Sequence, residues 1–78
     1  MSANDFQKVP LQERISELEE VARGLKKTNR YQEALKKYDE LYNIQKDQFG
    51  DHNEETIKTG NEIAIICNIL SMVYLQKE

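Results

Sequence analysis

The 78-residue chain carries a net charge of −3, with 32 % of its residues charged and both signs interspersed. That length allows one small domain with a modest core, and that balance leaves no electrostatic footprint for nucleic acid. Three Gly, one Pro and no Trp point to an all-α fold and away from a β-rich one.

Residues 1–10 read as a short polar arm without periodicity or an apolar signal core. Pro10 stands where a helix would begin. Leu11, Ile15, Leu18, Val21, Ala22 and Leu25 recur at spacings of three and four and predict a first helix over 11–28. Thr28-Asn29-Arg30 ends it, with Asn29 as the left-handed residue. Tyr31, Ala34, Leu35, Tyr38, Leu41, Tyr42 and Ile44 predict a second helix over 31–48, and Gly50 is a natural stop. Asp51-His52-Asn53 forms the next turn, with Asp51 or Asn53 as the cap. Asp51 and Glu54 have capping-box spacing.

The third helix is expected over 54–76. Its first half is amphipathic, with Ile57, Asn61 and Ala64 as the marker positions. From Ile63 to Leu75 only Asn68 and Ser71 interrupt the apolar residues. A helix apolar all round must be covered all round, yet thirteen residues fall short of the about 20 needed to span a bilayer. No membrane insertion is expected. Another chain or further repeats must then complete the cover.

The first and third helices repeat each other. Glu13, Ile15, Glu20, Val21 and Ala22 recur 42 residues on as Glu55, Ile57, Glu62, Ile63 and Ala64. A fixed offset in an all-helical chain marks stacked-helix repeats, which make partner surfaces. Ala22-x-x-Leu25-x-x-x-Asn29-x-Tyr31-x-x-Ala34-x-x-x-Tyr38-x-x-Leu41 resembles the tetratricopeptide repeat. Phe49-Gly50, Thr56 and Asn61-x-Ile63-Ala64 extend the likeness to the 42-residue variant of kinesin light chains, over residues 18 to about 70. Gly50-Asp51-His52-Asn53 departs from that variant's Gly-x-x-His-Pro loop. Ser71 stands where it has a second turn glycine, so the third helix either breaks there or runs through. The resemblance implies three antiparallel helices, one repeat plus the first helix of the next, in a superhelical stack. It also implies a cytoplasmic adaptor or scaffold.

In that family the first helix of each repeat lines the ligand groove. Carried over, the groove residues are Ser16, Glu19, Arg23, Lys26 and Lys27, with Lys58, Asn61 and Asn68 opposite. The cations suit an acidic peptide and the two Asn an extended backbone. Ile65, Ile69, Met72, Val73 and Leu75 form the expected assembly interface, since monomers seldom leave such a patch exposed. Cys67, the single cysteine, cannot form an internal disulfide, which favours a reducing compartment. It is expected in the core, and His52 in a turn.

No metal-ligand spacing, phosphate loop or nucleophile triad occurs, so neither cofactor nor enzymatic activity is expected. The reading is a protein- or peptide-binding module that forms a homo-oligomer or joins a larger assembly. The alternatives are a small structural subunit buried in a multi-chain assembly, and a membrane-surface protein. The second is weakened by the lack of Lys or Arg between 63 and 76.

Overall fold

A computed structural model describes residues 10–76, apart from the side chains of residues 74 and 76. The expected arm over residues 1–10 lies outside the described residues but for Pro10. Three helices follow in order: α1 (Leu11–Lys27), α2 (Tyr31–Phe49) and α3 (Glu54–Gln76). The fold is all-α.

Pro10 precedes the first turn of α1, and its carbonyl accepts the Arg14 N–H at 3.1 Å. Glu13 lies in the first turn of α1 and Lys26 and Lys27 in the last, so both ends complement the helix dipole. Asn29 adopts φ 65°, as expected of the residue that ends α1. The Arg30 N–H reaches the Leu25 carbonyl at 2.9 Å, and the Asn29 N–H reaches Lys26 at 3.1 Å. That pair of reversed bonds is a Schellman end, and it folds α2 back on α1. Tyr31 donates to Asn29 Oδ1 at 2.9 Å and holds the turn.

Gly50 closes α2 at φ 89°, where a Cβ would be strained. The cap of α3 is Asn53, whose Oδ1 accepts the Glu55 N–H at 2.9 Å. Asp51 does not cap α3; its carboxylate lies 3.8 Å from Lys46 Nζ. The expected capping box is therefore not made. His52 stands exposed in the turn. Ser71 produces no break, and α3 is continuous to Gln76, because serine lacks the backbone freedom that lets glycine end a helix.

Both α1 and α3 pack on α2, with no close backbone approach between α1 and α3 among the described residues. The core joins Ile15, Leu18 and Ala22 to Ala34, Tyr38 and Leu41, and Ile66 closes it from α3. Ala22 and Ala34 are fully buried; their small side chains let α1 and α2 come together.

The first half of α3 presents a different face from the one expected. Thr56 and Thr59 are buried, while Ile57, Asn61 and Ala64 are exposed. The reason is polar. Thr59 Oγ1 lies 2.5 Å from the side-chain amide of Gln45, itself fully buried on α2, and 3.1 Å from the Glu55 carbonyl. A hydroxyl has one proton to give. It goes to Gln45 Oε1, because 2.5 Å is the length of an O–H···O bond and too short for an N–H···O one. Gln45 Nε2 is left without a partner among the described residues.

Cys67 is exposed, not a core residue. It follows Ile66 by one position, and a single residue turns a helix by about 100°, away from α2.

Candidate functional site

The buried stripe of α1 faces α2, which leaves the next row, Glu19, Arg23 and Lys26, along one rim. On α3 the row beside Thr59 holds Glu55, Lys58 and Glu62. These two rims enclose a groove of about 460 Å³ with Tyr38 and Leu41 of α2 as its floor and Asn61 at its edge. Five groove positions expected from sequence meet here: Glu19, Arg23, Lys26, Lys58 and Asn61. Ser16 does not; it lies beside Gln12, Glu13, Glu17 and Glu20 on another face of α1. Lys27 and Asn68 are exposed and do not line the groove. Floor residues Tyr38 and Leu41 belong to the apolar stripe that predicts α2 and are not among the groove positions expected from sequence. Glu62 carries a signal in sequence, since it repeats Glu20 at the 42-residue offset.

The electrostatics are largely settled within the chain. Lys26 Nζ donates to Glu62 Oε1 at 2.5 Å, tying α1 to α3 across the groove. This bond raises the Lys26 pKa above the ordinary 10.5, against the lowering effect of burial. Burial, and then the Glu62 charge, raise the Tyr38 phenol above its ordinary 10.0. Lys58 lies 3.9 Å from Glu55. Arg23 alone of the three groove cations forms no ion pair among the described residues. Lys26, expected to meet a partner's carboxylate, is occupied by Glu62. No cluster of metal-ligating side chains occurs among the described residues, and the groove brings together no nucleophile and base.

The expected assembly residues separate into three positions. Ile65, Met72 and Leu75 are exposed, at 43 %, 59 % and 73 %. Ile69 is half-buried. Val73 borders a second cleft of about 470 Å³, shared with Leu70 and with residues 29–33 of the α1–α2 turn and the first turn of α2. No helix of the described residues is long and apolar enough to cross a membrane.

The 42-residue repetition does not carry over into burial. Ile15 and Ala22 are buried against α2, whereas their counterparts Ile57 and Ala64 are exposed on α3. Helix α3 meets α2 through a different face, and the face it shares with α1 in sequence is left uncovered. No family model, curated protein or solved structure matches the chain.

Proposed function

We propose that this chain is a non-enzymatic protein-interaction module of the tetratricopeptide kind, docking a protein surface through the outer face of α3. The carrying observation is that uncovered face. Ile57 and Ala64 stand exposed where their equivalents Ile15 and Ala22 of α1 form core, and Ile65, Met72 and Leu75 stand exposed beside them. A sequence that repeats a core face and leaves the second copy bare is suited to receive a helix there.

Covering the exposed fractions of Ile65, Met72 and Leu75 is worth roughly 3–5 kcal/mol per chain. Association costs about 4–15 kcal/mol in lost freedom. The α3 face therefore supports a weak, reversible contact alone and a firm one only when both partners bring such a face. The groove contributes less, because two of its three cations are already paired. Arg23 is the part of it open to a peptide segment.

The test is molar mass by light scattering across a concentration series, with binding of a hydrophobic dye measured in parallel, on wild type and Met72→Glu. A concentration-dependent mass, or dye binding by a monomer, is expected for wild type, and either is lost in the variant. A monomer that binds no dye at any concentration overturns the reading.

A further inference from the structure

We infer that the occupant of the α3 face is the α3 helix of a second copy, paired parallel and in register about a two-fold axis. This rests on the reading of α3 as the docking surface and goes on to specify what docks.

Helix α3 buries Ile63, Ile66 and Leu70 toward α2. On the opposite side the residues 58, 61, 65, 68, 72 and 75 follow one another at spacings of three and four, and all six are exposed. That is the seam of a two-stranded coiled coil, with Ile65 and Met72 at one core position and Asn61, Asn68 and Leu75 at the other. Ile57, Ala64 and Ser71 flank it, each also exposed, and the small Ala64 and Ser71 let a neighbouring helix come close.

The order of residues along the seam selects both partner and direction. From Ile63 to Gln76 the helix carries no charge, so nothing in that stretch repels an identical copy or selects an oppositely charged protein. In a parallel, in-register pair each layer meets itself. Ile65, Met72 and Leu75 meet apolar copies, and Asn68 meets Asn68. An amide holds both donors and an acceptor, so two copies satisfy each other. In the antiparallel arrangement Ile65 faces Asn68 and Asn61 faces Met72. Every such layer strands an amide against an apolar side chain. The Asn layers thus set the register, as buried polar residues do in coiled-coil seams. Lys58 ends the pairing, because a sixth layer would oppose two ammonium groups.

The experiment uses the full chain with Cys67→Ser, into which Asn61→Cys or Met72→Cys is placed. The two positions are about 17 Å apart along the helix, far beyond disulfide reach. Parallel pairing predicts that each variant alone forms a disulfide dimer on mild oxidation at low micromolar concentration. A control with Gln32→Cys, exposed on α2, stays monomeric. Cross-linking only in the mixture of the two variants means antiparallel pairing and overturns the inference. So does a Met72-sensitive assembly that gives no cross-link, although the docking reading then survives. A monomer that binds hydrophobic dye would assign the face to a different protein. In a third variant, Asn68→Leu, the apolar layer should tighten self-association by about tenfold and broaden the single mass into several. Unchanged mass and affinity in that variant would also count against the pairing.

Discussion

At the scale of single residues, Gln45 and Thr59 form the polar joint between α2 and α3. Thr59→Val removes the donor that meets the buried Gln45 Oε1 and should cost about 1–3 kcal/mol in denaturant unfolding. Adding Gln45→Met removes the stranded amide as well, so the double variant should regain most of that loss. Additive losses would mean that the two side chains do not interact. Lys26 and Tyr38 set the alkaline limit. Both groups hold their protons more tightly in the folded chain, Lys26 through the Glu62 hydrogen bond and Tyr38 through burial. Their contribution is present in full below the unfolded values of 10.0 and 10.5 and is lost as pH rises through the raised folded values. Thermal melts should therefore fall above about pH 10. Lys26→Met should flatten part of that fall while costing less than about 1 kcal/mol at neutral pH, since both partners keep about a third of their surface in water.

At the scale of elements, the two turns are built differently and should respond differently. Gly50 has φ 89° with open space where a Cβ would project, so Gly50→Ala meets backbone strain alone and should cost about 1 kcal/mol. Asn29 is already a side chain in the left-handed region, and Asn29→Gly should be close to neutral, trading backbone relief against the lost Tyr31 bond. The repeat supplies a sharper comparison. Ala22→Leu forces three carbons into a closed α1–α2 contact and should destabilise by about 1–3 kcal/mol. Ala64→Leu, the same change at the repeated position, should stay within about 0.5 kcal/mol when unfolding is measured on dilute monomer. Equal costs would mean that α3 is covered inside the chain.

At the scale of the whole molecule, one central helix carries both neighbours, and α3 offers apolar surface outward as well as inward. If copies pair through it, unfolding is linked to dissociation, and the melting temperature should rise with chain concentration. Met72→Glu should remove that dependence. Arg23→Ala should leave it intact, because Arg23 lies on the groove and not on the seam.

Much of this was legible in sequence. Apolar residues at spacings of three and four located all three helices to within a residue, because helical period is a local property. Asn29 and Gly50 marked the turns for the same reason. The cleft lined by Glu19, Arg23, Lys26, Lys58 and Asn61 was legible in part through the tetratricopeptide resemblance, which carried those positions over, and not through the period alone. Tertiary structure decided which side of α3 turns inward. An apolar stretch such as Ile63–Leu75 offers no polar row to mark its outer side, and in the preceding turn the core took the threonines because Gln45 was there to meet Thr59. That pairing joins residues 14 positions apart on different helices, and no local spacing encodes it. It also decided that Lys26 closes on Glu62, 36 residues away, and that Cys67 faces out. Each of these depends on where α2 places its side chains, which is known only when the helices are packed.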